Sequence, residues 1–225
     1  MVRDETGTPE RNVAVYFDID GTLLEKRRDE DEIVETATAF DIDISDEAVH
    51  DFDGLVEQYF RRNISDGYRE AVETFTDHLG IDVDTDAFTR DLERRKVENT
   101  RLVDGAEDVL NAFADVAVVG IITNGAGDVQ REKLARHGIA DYFEHVLVSG
   151  ELDTMKPKDE MFTRAKREQS ADEYVYVADR LGDDLVPASQ NGFVTVWISD
   201  GSSEVADITV PSVADLSMKP VDDAS

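Results

Sequence analysis

The sequence predicts a doubly wound α/β fold whose first strand is separated from the rest of its sheet by a long helical insert. Three observations carry that prediction. Val13-Ala14-Val15-Tyr16-Phe17 is a short apolar run that ends in two aspartates and a glycine. Residues 25–99 then follow a helical periodicity, and no strand-like run interrupts them. Beyond Asp104-Gly105 the chain alternates apolar runs with segments of helical length.

The elements follow in order. Residues 1–11 are polar and are expected to be mobile. A buried strand is predicted over 13–17. In the insert, Val49, Phe52, Val56, Tyr59 and Phe60 recur at helical spacing behind an N-cap at Ser45. Tyr68, Ala71, Val72, Phe75 and Leu79 repeat the pattern, and Gly80 is placed to end that helix. Phe88 and Leu92 mark a third or fourth helix. Residues 116–122 are apolar throughout, as in a parallel strand covered on both faces. A helix over 127–137, closed by Gly138, is expected next. Strands are then expected at 145–148, 174–178 and 193–197, with helices at 159–168 and 182–190. Asp207-Ile208-Thr209-Val210 reads as a short edge strand, and the acidic tail from 217 as frayed. The expected division is an α/β core of 1–24 and 100–225 with a helical cap domain of 25–99. Parallel sheets place ligands at the C-terminal ends of their strands. An insert leaving the first strand there is positioned to cover the site.

Charge narrows the partners. The chain has 52 acidic and 23 basic residues among 225, a net charge of −29. Such a surface repels nucleic acid and anionic membrane. No apolar stretch approaches the roughly 18 residues of a spanning helix, and the first residues carry no apolar signal region, so a cytoplasmic location is expected. There are no cysteines, which excludes disulfides, thiolate metal sites and cysteine nucleophiles. The sequence assigns no oligomeric state. Acidic residues are spread along the whole chain, and only 7 of the 23 basic residues are lysine. That bias resembles the cytoplasmic proteins of salt-accumulating halophilic archaea, where counter-ions shorten the Debye length to about 3 Å at 1 M salt. Unfolding followed against KCl concentration is accordingly expected to show stability rising with salt. Equal stability in low salt would contradict a halophilic origin.

The chemistry concentrates at strand ends. Asp18 and Asp20 stand two apart, on one side of an extended chain. Like charges about 4 Å apart repel by roughly 4 kcal/mol at an effective dielectric of 20. Such a pair calls for a cation, and a hard one such as Mg²⁺ suits carboxylate oxygen. Thr123-Asn124-Gly125 ends the 116–122 run, Lys156-Pro157 lies in the loop after the next strand, and Asp179 ends a third, followed by Asp183 and Asp184.

In that order, Asp18-Ile-Asp-Gly-Thr22, Thr123-Asn-Gly125, Lys156-Pro157 and Asp179 with Asp184 five residues on resemble the four-motif signature of the haloacid dehalogenase superfamily. The insert at 25–99 is similar to the helical cap of one of its branches. The resemblance implies a mostly parallel, Rossmann-like sheet and a Mg²⁺-dependent phosphohydrolase of small phosphorylated metabolites, with phosphoglycolate-, nucleotide- or sugar-phosphate-type substrates. It implies Asp18 as nucleophile and Asp20 as general acid and then general base. Asp18, the main-chain carbonyl of Asp20, and Asp179 are implied as metal ligands. Thr123, Asn124, Gly125 and Lys156 would serve the phosphoryl group, with Thr123 and Lys156 also catalytic. Asp184, in preference to Asp183, would stand behind the metal or orient Lys156. Gly21 would allow a sharp turn at the phosphate.

Two positions depart from the pattern. Ala178 stands where the family usually has glycine, and Arg180 replaces a small residue. Lys158 competes with Lys156. In the insert, Arg61, Arg62, Arg69, Arg94, Arg95 and Lys96 are candidates to reach an anionic substrate. The four histidines show no ligand spacing. Haloacid dehalogenases and sugar-phosphate mutases share the scaffold, and a non-catalytic protein binding phosphate and Mg²⁺ is the alternative of another class. Asp20 speaks against dehalogenation, which requires no acid at that position.

Overall fold

The computed structural model describes residues 12–27, 31–62 and 67–216. The expectations of mobility at 1–11 and of fraying from 217 lie outside these residues. In chain order the elements are β1 (Val13–Phe17), β2 (Leu24–Lys26), α1 (Glu32–Ala39), α2 (Asp46–Arg61), α3 (Gly67–Leu79), α4 (Thr85–Glu98), β3 (Thr100–Leu102) and α5 (Ala106–Ala114). They continue with β4 (Val118–Thr123), α6 (Gly127–Arg136), β5 (His145–Val148), α7 (Asp159–Glu168), β6 (Glu173–Ala178), α8 (Val186–Gln190), β7 (Val194–Ile198) and β8 (Ile208–Val210).

Six strands form one sheet in the order β5-β4-β1-β6-β7-β8, and all its pairings are parallel. The fold is therefore α/β and doubly wound. β1 shows why its run is continuously apolar. Val15 and Phe17 point into a cluster with Val109, Leu110 and Phe113 of α5 and Leu134 of α6. Ala14 and Tyr16 point the other way, against Met161, Phe162 and Ala165 of α7 and Ala188 of α8. Period-two alternation thus feeds two cores, and each large side chain so buried stabilises by about 1.5–3 kcal/mol.

Register sets the site. Phe17 pairs with Ile121 of β4 and with Val177 of β6. Asp18, Thr123 and Asp179 therefore leave the sheet within two residues of the same level, at its C-terminal edge.

Helices α1–α4 bury a cluster of their own, including Ile33, Phe52, Val72, Phe75, Phe88 and Leu92. Their starts follow the expected chemistry. The Ser45 side chain accepts from the Ala48 N–H, and Asp31 and Asp84 cap α1 and α4 in the same manner. Gly80, at φ +66°, follows α3 as a left-handed terminator. Glu32 ties the entry and exit of the four-helix segment together. It is 4% exposed, accepts from Asn99 Nδ2 at 2.6 Å, and lies 3.5 and 3.7 Å from the ammonium groups of Lys26 and Lys96. Among the described residues no helix is long and apolar enough to cross a membrane.

Two expectations need correction. The 25–99 region is not free of strand: β2 begins at Leu24 and pairs antiparallel with β3, Leu24 opposite Leu102 and Lys26 opposite Thr100. Three residues per strand are too few to print an alternation in sequence. The helix expected over 182–190 is divided. Residues 181–185 form a π-turn, and α8 starts only at Val186, with Pro187 in its first turn.

Candidate active site

Asp18 extends β1 into a polar centre that is closed to solvent. It is 6% exposed, and its backbone N–H continues the sheet by donating to the Val177 carbonyl. Lys156 Nζ lies 3.0 Å from Asp18 Oδ1 and 2.5 Å from Asp184 Oδ1. Lys156 and Asp184 are 3% and 1% exposed. One buried ammonium thus serves two buried carboxylates, and the group carries a net negative charge. Burial alone would depress the lysine, but Asp18 and Asp184 hold it charged, above its usual range. Burial pushes the Asp18 carboxyl up, opposed by Lys156 and reinforced by Asp184.

Tyr176, on β6, fixes the base of this group. Lys156 Nζ donates to its hydroxyl at 2.9 Å. That hydroxyl stands 2.9 Å from both Asp184 Oδ1 and the Ile122 carbonyl, either of which takes its proton. Burial and the neighbouring Asp184 raise the phenol well above its ordinary value. Asp184 reaches this position because the π-turn rotates it inward, while Asp183 stays partly exposed. Lys158 is exposed at the start of α7, so Lys156 is the lysine of the site.

Asp179 completes the acidic side. Its carbonyl accepts from Trp197 Nε1 at 2.8 Å. Its Oδ1 is buried without a hydrogen-bond partner. Burial and Asp18 raise its carboxyl, and Arg180 partly opposes them. Arg180 itself is exposed. The Ala178 methyl is taken up in the apolar cluster of α7 and α8 rather than in the site. Gly21 has φ +88°, and any Cβ there would overlap the Asp179 carboxylate. Its glycine is required by that close approach as well as by the turn.

Asp18, Asp179 and Asp184 each offer an oxygen, and the three oxygens lie within 4.8 Å of one another. Three converging carboxylates, one lysine, and an orphaned buried oxygen fit a hard divalent cation.

The other predicted residues occupy the facing rim. Thr123 is 1% exposed, and its Oγ1 accepts from Gln130 Nε2 at 3.1 Å. The Asn124 side chain bridges to the lysine loop: its Nδ2 donates to the Lys156 carbonyl at 3.0 Å, and its Oδ1 accepts from the Lys156 N–H at 2.9 Å. That side chain is therefore committed to placing Lys156. The Gly125 N–H donates to Ser149 Oγ at 3.0 Å.

The Asp20 side chain is held apart from the Asp18 centre. Its carboxylate turns to α6, where Lys133 Nζ donates to Oδ1 and Oδ2 at 2.7 and 2.8 Å and Gln130 Nε2 to Oδ2 at 3.0 Å. Desolvation there works to raise the carboxyl, but Lys133 and Gln130 hold it below its usual range. The side chain is still 49% exposed. The repulsion anticipated between the two aspartates is relieved by giving each its own lysine. Lys133, Gln130 and Tyr176 were missed in the sequence. Gln130 and Lys133 stand at i and i+3 on a polar helix, a spacing that does place them on one face.

Beside this centre a cleft of about 440 Å³ opens between α3–α4 and the loops after β4 and β5, lined by Tyr68, Thr89, Arg90, Glu93, Asp128 and Glu151 among others. α4 packs on α6 along one side of it. Burial pushes the Tyr68 phenol up to about 12, opposed by the charge of Lys133 and reinforced by that of Asp20. Most candidate cations of the insert are already paired: Arg61 with Glu57, Arg69 with Glu73 and Asp86, Arg94 with Asp91 and Glu98, Arg95 with Asp91 and Glu35.

A parallel α/β sheet with a buried carboxylate–lysine centre at its C-terminal edge is the class these features define. The family model for haloacid dehalogenase-like hydrolases matches residues 15–198, and the chain belongs to that family. It is 37% identical over 106 residues to glyceraldehyde 3-phosphate phosphatase of Methanocaldococcus jannaschii, covering 44% of this chain and 46% of the relative. It is 35% identical over 116 residues to ribulose-1,5-bisphosphate 5-phosphatase of Halopiger xanaduensis, covering 50% and 48%. The chain thus spans about half the length of these curated relatives. The fold is that of the HAD-hydrolase YfnB of Bacillus subtilis, solved with magnesium, at TM-score 0.67 and 18% identity over 90% of this chain and 96% of that one.

Proposed function

We propose that the protein is a Mg²⁺-dependent phosphohydrolase of small phosphorylated metabolites, working in the cytoplasm, with helices α1–α4 as its cap over an α/β core. The observation that carries this reading is Asp18. It is a carboxylate at a strand end, shielded from water, with a lysine on one side and two further carboxylates on the other. Two relatives named for sugar-phosphate substrates support the substrate class.

Asp18, Asp179 and the Asp20 carbonyl would hold the Mg²⁺, with Asp184 behind them, and the ion would draw charge from the phosphoryl oxygens. Asp18 attacks phosphorus, and the bond to the leaving oxygen breaks, giving an aspartyl-phosphate. Asp20 gives a proton to the departing oxygen, then takes one from the water that hydrolyses the intermediate. Lys156 stays charged and offsets charge on Asp18 and the transferring group. The Thr123 hydroxyl and the N–H groups at the start of α6 face phosphoryl oxygens. Exclusion of solvent at Asp18 strengthens each of these interactions.

Purified protein with Mg²⁺ in molar KCl is expected to release phosphate from nitrophenyl phosphate and from some members of a panel of three- to five-carbon sugar phosphates. Chelation should abolish turnover, and adding Mg²⁺ back should restore it and raise the melting temperature, because a ligand that binds only the folded state stabilises it. Binding of phosphate and Mg²⁺ with no turnover on any ester would instead mark a non-catalytic protein. Interconversion of hexose phosphates dependent on a bisphosphate would mark a mutase.

A further inference from the structure

We propose that Lys133, with Gln130, is the positioning residue for Asp20, and that proton delivery to the leaving group depends on this clamp. The inference rests on the acid–base assignment of Asp20 made above. Asp20 lies outside the named strands, in an isolated bridge to Leu24, with half of its side-chain surface open. Among the described residues the hydrogen bonds to its carboxylate come from α6, and a proton donor must stand within about 3 Å of the oxygen it serves.

The fixing groups come from α6. Lys133 spans both carboxylate oxygens, and Gln130 holds the second of them. The lysine is 7% exposed and the glutamine 2%, so their own geometry is set by packing. Gln130 Nε2 also lies within bonding distance of Thr123 Oγ1 and the Asn124 carbonyl, which references Asp20 to the residues facing the phosphoryl group. Solubility does not explain a lysine spent in this way, in a chain with 7 lysines against 52 acidic residues. α4 packs on the same helix, and the first turn of that helix, with Gly127 and Asp128, lines the cleft beside the site together with Tyr68, so the clamp belongs to the helix that borders the cleft.

Asp20 starts as a carboxylate; it takes up a proton from solvent through its open face, and in the first step that proton passes to the leaving oxygen as its bond to phosphorus breaks. In the second it moves from water back to Asp20 as the water oxygen bonds to phosphorus. The lysine supplies neither proton.

The test is kcat/KM, which reports only steps through phosphoryl transfer to Asp18, measured on aryl and alkyl phosphates of rising leaving-group pKa. A good leaving group needs no proton and a poor one does. Asp20→Asn should lose about 10²-fold or more on alkyl phosphates and far less on nitrophenyl phosphate. Lys133→Met should steepen the dependence in the same way, with KM little changed, and Lys133→Arg should restore most of the alkyl activity. Lys133→Met that loses activity uniformly along the series, or loses none, overturns the inference while leaving the phosphohydrolase reading intact. A flat dependence in Asp20→Asn refutes the acid–base assignment itself. Should Lys133→Met fail to fold by circular dichroism, Gln130→Met carries the same test: a steeper dependence supports the clamp and a uniform loss overturns it.

Discussion

Asp18→Asn is expected to fold, to melt higher than the parent chain in chelator, and to release no phosphate. These effects have one cause. The parent buries two carboxylates against a single ammonium, with Asp179 close by. Asparagine removes one negative charge and leaves Lys156 and Asp184 as a neutral pair. The folded Asp18 carboxyl is raised, so the ionised group opposes folding at neutral pH, and that opposition fades as pH falls and the carboxyl takes up its proton. A gain of about 2–4 °C corresponds to about 1 kcal/mol in a chain of this size. Loss of the nucleophile should lower kcat by at least about 10⁴-fold. Thermal melts with EDTA and with Mg²⁺ check the first effect, and the increase on adding Mg²⁺ should be smaller in the variant. A variant that melts below the parent in chelator would contradict the charge balance described for this centre.

Lys156→Met should be the most destabilising single change in the site. It leaves Asp18 and Asp184 buried with no cation and deprives the Tyr176 hydroxyl of a donor. Breaking a buried ion pair by removing one partner costs about 3–5 kcal/mol, against surface pairs such as Arg61–Glu57 that contribute about 1 kcal/mol or less. Denaturant melts in molar KCl measure it. In the double variant with Asp18→Asn the stability should exceed what adding the two single effects gives, because the carboxylate stranded by the first change is gone. Additive effects would mean that Lys156 and Asp18 do not sense each other. Activity should fall in Lys156→Met even where enough folded protein is recovered to assay.

The residues legible in the sequence were those next to long apolar runs. Asp18, Thr123 and Asp179 close strands whose buried character is plain, and parallel register then brings them to one edge. Lys156 and Asp184 stood out through the family pattern, and a π-turn that no periodicity announces buries Asp184 and leaves Asp183 partly exposed. Ala178 was a question only until its methyl was seen to face the core. What stayed hidden lies where the local signal is shared with ordinary structure. Gln130 and Lys133 look like the solvated face of any polar helix, and Tyr176 looks like one more core aromatic in β6. The ribbon of β2 and β3 is too short to show a pattern. Nothing beside Asp20 in the sequence announces the lysine, 113 residues on, that reaches its carboxylate.

The central claim is that Asp18 becomes phosphorylated during turnover. Rapid quenching of the protein with a labelled phosphoester and Mg²⁺, followed by reduction of acyl phosphate and peptide mass spectrometry, tests it most directly. The reduced residue should map to Asp18 and be absent in Asp18→Asn. Turnover with no acyl phosphate at Asp18, or with the modification on another residue, would contradict it.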